Sequence, residues 1–262
     1  MKQLRIIAAI LLAAAAFSCK SSYETLLEST DAGAKYDAAF DYFNQGKYAK
    51  SAQLFESLVY LTNGTERDDT VQYYWGLSNY RAKDYYTAET NFDNFIKNFP
   101  GSPFAENAEF LRLDCLFRGT LRYELDQTPT YKCITAISEY LMNHPDTEYR
   151  SVCDRMMDDL EERLDRKAYE NAYLYYKMED YKAARVALRN VLKDDAENRY
   201  REDILFYTAM ASYNYAQLSV KAKQKERFLV FYDDYLNFVG EYPDSPKRPE
   251  LDRIYKKAKE KY

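Results

Sequence analysis

Histidine is almost missing from this chain of 262 residues, and His144 is its one copy. Its scarcity excludes histidine-cluster metal sites and disfavours a histidine-dependent catalytic triad, the more so because His144 stands in the turn-like Asn143-His144-Pro145. Glycine and proline number seven each, and neither occurs from Asp146 to Val239. A sandwich, a barrel or a glycine-rich phosphate loop would need turn residues there, so an all-helical chain is the reading that survives. A basic surplus is lacking too. With 37 Lys and Arg against 42 Asp and Glu, the net charge is -5, and bulk electrostatics give no sign of a nucleic-acid partner. No apolar run is long enough for a permanent span, since Ile6 to Phe17 has 12 residues and a bilayer core needs roughly 20.

What is present begins with an address. Lys2 and Arg5 precede that apolar run, and Ala16-Phe17-Ser18 precede Cys19, an arrangement that reads as a secretory signal, residues 1-18. It resembles a bacterial lipoprotein signal, although Phe17 replaces a small residue of the usual pattern. The resemblance implies cleavage after Ser18, a diacylglycerol thioether on Cys19 and acylation of the new amine. More than one acyl chain makes release from a membrane slow, at about 0.8 kcal/mol for each buried methylene. Residues 19-33 are then a lipidated tether. By the same resemblance, Lys20 rather than Asp after the cysteine favours the outer membrane. The lack of a dense acidic tract in Ser21-Ser22-Tyr23-Glu24 favours its periplasmic face. Cys115, Cys133 and Cys153 match no metal spacing and stand in apolar helical contexts. Three buried thiols, or a Cys115 to Cys133 bridge, are the two readings for an exported protein.

The body repeats itself. A helix, a short polar turn ending in Tyr, a second helix rich in Ala, Phe and Leu, and a Pro turn recur five times. The units are Ala34 to Thr62, Thr70 to Pro100, Pro103 to Pro145 with an insertion at Gly119 to Pro129, a fourth around Ala168 to Val191, and Tyr200 to Pro246. Gly46-Lys47-Tyr48, Asp84-Tyr85 and Asp180-Tyr181 are the polar turns. These features, with Gly76 on a first helix, Ala52 and Ala88 on second helices and the closing Pro100, resemble tetratricopeptide repeats. Such pairs cannot bury their apolar stripes alone, so they stack into a superhelix of about five helix pairs. The expected units are repeats 1-3 at residues 34-146, and a long linking helix with repeats 4-5 at residues 147-262. Within the second, Thr147 to Met178 reads as one helix coupling the two sets of repeats, or as two helices broken near Asp165-Arg166.

A lipoprotein cysteine, five such repeats, the long helix and the segment Leu125-Asp126-Gln127-Thr128-Pro129-Thr130-Tyr131-Lys132 together resemble the BamD-like family of outer-membrane assembly lipoproteins, in its Bacteroidota-like form. The resemblance implies a scaffold of the β-barrel assembly (Bam) complex. C-terminal repeats would dock on a POTRA domain of the barrel-forming subunit BamA, and N-terminal repeats would receive unfolded barrel precursors. The expected precursor-binding residues, on the first helices of repeats 1 and 2, are Tyr36, Tyr42, Phe43, Tyr73, Tyr74 and Tyr80, about half of them core. No general acid and base are visible, no cofactor is expected beyond the lipid on Cys19, and Lys256, Lys257, Lys259 and Lys261 read as a solvated helix face. Two other readings stand beside this one: a different envelope adaptor lipoprotein, or a SusD-like glycan-binding lipoprotein, for which a single Trp, Trp75, is a poor stock of stacking rings.

Overall fold

The computed structural model describes residues 22-261, and Cys19 with the signal segment lies outside them. Among the described residues every regular element is a helix. In chain order these are α1 (Ser22–Glu28), α2 (Ala32–Asn44), α3 (Tyr48–Thr62), α4 (Asp68–Arg81), α5 (Tyr85–Asn98), α6 (Ala105–Arg118), α7 (Thr128–Asn143), α8 (Arg150–Lys177), α9 (Tyr181–Asp194), α10 (Arg201–Gln217), α11 (Lys221–Glu241) and α12 (Arg248–Lys261). α2/α3, α4/α5, α6/α7, α8/α9 and α10/α11 are the five pairs, so the helical-repeat fold read from the sequence is the fold observed. α1 and α12 flank them. Part of the segment assigned to a tether, 19-33, is thus helix α1.

The tyrosine that ends each polar turn opens the second helix of its pair, as Tyr48, Tyr85 and Tyr181 do. The turn is the same device three times. The N–H of Lys47 reaches back to the carbonyl of Tyr42, that of Asp84 to Asn79 and that of Asp180 to Tyr175, the six-to-one bond of a Schellman cap. Such a cap needs one left-handed residue. Gly46 supplies it with φ 72°, whereas Lys83 (φ 66°) and Glu179 (φ 61°) adopt it with side chains. Asp84 and Asp180 then cap the next helix, accepting from the N–H of Thr87 and Ala183.

The chain forms two compact units. The first holds the described residues up to Thr120 together with Tyr131–Tyr149, and the second holds Leu121–Thr130 and Arg150 onward. In the first, Ala39, Leu54, Phe55, Leu58 and Val71 form one core between α2, α3 and α4. Ala88, Phe92, Phe95 and Ala108 form the next between α4, α5 and α6. Gly76 is required where the two helices of the second pair, α4 and α5, meet, because a Cβ there would stand 2.9 Å from the ring of Phe92. Lys35, buried on α2, donates to the carbonyl of Leu27 at 2.8 Å and to Ser57 Oγ at 3.2 Å. The Tyr23 hydroxyl donates to Gln53 at 2.7 Å. Together they fasten α1 to the first pair.

In the second unit α8 runs unbroken through Asp165 and Arg166, 28 residues and about 42 Å. Tyr169, Ala172, Leu188 and Ile204 pack α8, α9 and α10, and Phe206, Tyr213, Phe228, Phe231, Phe238 and Leu251 pack α10, α11 and α12. Asp234 of α11 is 3% exposed and receives the Arg185 guanidinium of α9 at 2.6 and 3.0 Å. It also receives the hydroxyl of Ser212 of α10, so one carboxylate ties three consecutive helices. Lys167 of α8 donates to the carbonyls of Tyr123, Glu124 and Leu125 at 2.8–3.3 Å, which holds the insertion of the third repeat as an ordered strap. Cys115, Cys133 and Cys153 are buried thiols outside any disulfide. Burial pushes the Cys115 thiol up to about 12 and raises that of Cys153.

Candidate functional site

The aromatic residues on the first helices of repeats 1 and 2 separate into three groups. At the centre, Phe40 of α2 touches Tyr36 (4.9 Å between ring centres), Phe55 (5.1 Å) and Tyr74 of α4 (4.7 Å). Phe43 adds to it, 5.4 Å from Tyr74 and 5.3 Å from Tyr48. Tyr36, Phe43 and Tyr74 are therefore linked in one half-buried group, Phe40 joining Tyr36 to Tyr74 and Tyr74 in turn meeting Phe43. Phe40 was not among the residues singled out from the sequence. Its place in the repeat is visible there, but nothing in the spacing distinguishes a half-open ring from a closed one.

Tyr42 belongs to a second group on the other side of α2. It meets Tyr23 of α1 edge to face at 5.4 Å, and the ammonium groups of Lys47 and Lys50 lie over its ring at 5.6 and 5.5 Å. Tyr80 belongs to a third. Its hydroxyl donates to Asp114 at 2.6 Å, Arg118 donates to the same oxygen at 2.5 Å, and Tyr85 packs on its ring at 5.6 Å. Burial, then the bond to the Asp114 carboxylate, pushes the Tyr80 phenol up to about 12.

Tyr73 is core. It is 7% exposed, stacks on Phe104 at 4.4 Å with rings 11° from parallel, and donates to Asn107 at 2.5 Å. Asn107 in turn donates to Tyr149 at 2.7 Å, and Tyr149 stacks on Phe110 at 3.9 Å. Burial pushes the Tyr73 phenol up to about 12. Tyr73 to Asn107 and Tyr80 to Asp114 are both 34 residues apart, three short of the 37 that separate Tyr48 from Tyr85 and Gly46 from Lys83. The two bonds thus tie α4 to α6 at two levels, each about one helical turn out of strict register.

The central group presents half-open ring faces on α2 and α4. Arg67 lies over the Tyr36 ring at 4.6 Å, which keeps one face of it covered by charge. The hydroxyls of Tyr36 and Tyr74 find no partner among the described residues and are free to bond an incoming backbone. Each aromatic or aliphatic side chain that a partner lays on such rings contributes roughly 1.5–3 kcal/mol. Among the described residues no three His, Cys, Asp or Glu are grouped to hold a metal ion. His144 instead pairs with Glu109 at 2.8 Å as part of the packing of α6 against α7. In the second unit, Tyr169, Tyr173, Tyr176 and Tyr207 form a further aromatic row, with Tyr173 and Tyr207 4.4 Å apart. Lys256, Lys257 and Lys259 are exposed on α12, whose other side buries Leu251 and Ala258.

Stacked helix pairs, each contacting its neighbours, define a helical-repeat protein. Its family follows from comparison: residues 28–229 match the family model YfiO, described as "Outer membrane lipoprotein", and the chain belongs to that family. It is 25% identical over 238 residues, 90% of this chain and 76% of the relative, to the outer membrane protein assembly factor BamD of Caulobacter vibrioides. A putative outer membrane protein assembly factor BamD of Aquifex aeolicus is also 25% identical, over 82% of this chain and 69% of its own. Among solved structures, a TPR repeats protein from Bacteroides fragilis aligns over 89% of this chain and all of its own, with 18% identity and a TM-score of 0.41.

Proposed function

We propose that this chain is a lipid-anchored scaffold of outer-membrane β-barrel assembly, which makes and breaks no covalent bond. The observation that carries this reading is the match of residues 28–229 to a family of outer membrane lipoproteins whose relatives are named assembly factors. The half-open ring cluster of the first unit supports a division of labour. Tyr36, Phe43 and Tyr74 receive aromatic and apolar side chains of an unfolded barrel precursor, while free tyrosine hydroxyls bond its extended backbone. Tyr42 and Tyr80 are the outlying members of that surface, and Tyr73 supports it from within. The repeats of the second unit dock on a POTRA domain of BamA. The acylated Cys19 keeps both activities at the periplasmic face of the outer membrane.

The test is a site-specific photocrosslinking scan in living cells. Probes at Tyr36, Phe43 and Tyr80 are expected to capture nascent barrels, and probes between residues 168 and 238 to capture BamA. The opposite distribution, or capture of neither, would refute the assignment. Cys19→Ser separates anchoring from scaffolding: it is expected to release the protein from membranes while leaving its far-ultraviolet dichroism unchanged.

A further inference from the structure

Between the second helices of neighbouring repeats run grooves floored by an intervening first helix. The groove between α3 and α5, floored by α4, has a cavity of about 280 Å³. Tyr60, Asn63, Gln72, Trp75, Asn91, Asn94 and Asn98 line it beside Val59, and none of them is charged. In a chain with 30% charged residues that composition is unusual. The equivalent groove one repeat on, between α5 and α7, shows what the position ordinarily carries. Thirty-seven residues beyond Tyr60, Gln72 and Trp75, the spacing of Tyr48 from Tyr85, stand Lys97, Glu109 and Arg112, and all three line that second groove with Asp93 and Glu139. There Arg112 of the floor stands 3.0 Å from Asp93 of one wall, and Lys97, one turn along the same wall, 2.5 Å from it. In the first groove no ion pair closes the space.

The amides are available. Asn91 accepts from Asn79 through its oxygen at 2.8 Å, and Gln72 donates to Asp68 through its nitrogen at 2.8 Å, which leaves the Asn91 NH₂ and the Gln72 oxygen. Asn63, Asn94 and Asn98 have no side-chain partner among the described residues. Asn91, Asn94 and Asn98 follow each other at steps of three and four, so they share one face of α5. Trp75 and Tyr60, the latter 89% exposed, supply flat apolar faces at the side of this amide row. Amide groups that both donate and accept suit neighbouring hydroxyls, and indole and phenol faces suit the C–H side of a pyranose ring.

We propose that this groove is a binding site for a neutral saccharide chain, distinct from the ring cluster on α2 and α4 and independent of the scaffold reading above. The absence of charge from the lining disfavours anionic ligands, and the volume takes one or two sugar rings. Trp75, the sole tryptophan of the chain, reports directly on occupancy.

The experiment uses the full chain in a zwitterionic detergent free of sugar head groups. Chitotriose and maltotriose are titrated into it while tryptophan emission is read, with calorimetry as the second measurement. A saturable change with either trisaccharide is expected, and Asn94→Ala/Asn98→Ala, at two exposed positions, is expected to weaken it about tenfold with unchanged dichroism. No saturable response to either sugar up to solubility overturns the proposal. So does binding that the double variant leaves intact, or a response confined to an uncharged extended peptide run as the control.

Discussion

Asp234→Ala tests the reasoning about the second unit most directly, because one buried carboxylate holds α9, α10 and α11 together. The substitution removes two charge-assisted bonds from Arg185 and one from Ser212. Breaking a buried pair from one side costs about 3–5 kcal/mol when the remaining charge is stranded. Arg185 is not fully stranded, since 23% of its side chain faces water. Water recovers part of the loss, and about 2–3 kcal/mol is the expected destabilisation. For a chain of this size that lowers the melting midpoint by roughly 4–12 °C. Urea unfolding followed by dichroism measures it. Arg185→Met/Asp234→Leu is the decisive companion, because it leaves no buried orphan charge: the other cation near Asp234, Arg189 at 3.6 Å, is more than half exposed and keeps its water. That double variant is expected to be more stable than Asp234→Ala alone. If the single substitution shifts stability by less than about 0.5 kcal/mol, or the double costs the sum of the two singles, the carboxylate is not the tie described here.

Three further outcomes follow from the local geometry. Lys83→Gly and Glu179→Gly each replace a side chain held at positive φ, and each is expected to stabilise its unit by about 0.5–1 kcal/mol in the same urea assay, the relief of left-handed strain exceeding the added chain entropy of glycine. Gly76→Ala drives a methyl into Phe92; overpacking costs about 1–3 kcal/mol against a gain of about 1 kcal/mol in helix propensity, so a net loss is expected, partly recovered by adding Phe92→Leu. At high pH the phenols of Tyr73, Tyr80, Tyr200 and Tyr235, all pushed up to about 12, stay protonated in the fold after they would ionise in the unfolded chain. The stability they confer is complete below about pH 10 and falls as the pH rises towards 12. Absorbance at phenolate wavelengths should then rise together with loss of dichroism, and ionisation that runs to completion in a folded protein would contradict the burial assigned to them.

The helix pairs were legible in the sequence because their ends are chemical. Tyr48, Tyr85 and Tyr181 after short polar turns, and the proline turns after α5 and α11, mark boundaries by local steric rules that hold wherever the segment is placed. α1 was less legible: Ser22–Glu28 is seven residues long, and its order comes from Lys35 and Tyr23, partners distant in sequence. The aromatic surface was legible only as a set. Periodicity places Tyr73 and Tyr74 side by side on α4, yet Phe104 covers Tyr73 while Tyr74 stays half open, and that distinction depends on the next repeat. The amide groove left a weaker trace still. Its lining comes from three helices, and only the repeat register, which sets Trp75 against Arg112 and Tyr60 against Lys97, would have shown that charge is missing there.

The phenol bonds from Tyr73 to Asn107 and from Tyr80 to Asp114 reach into the next repeat and no further. Ties so short in sequence favour rapid winding, since little loop closure precedes each new contact. A polypeptide emerging in stages from a translocation pore could therefore coil up behind its own leading edge, every finished pair acting as the mould for its successor.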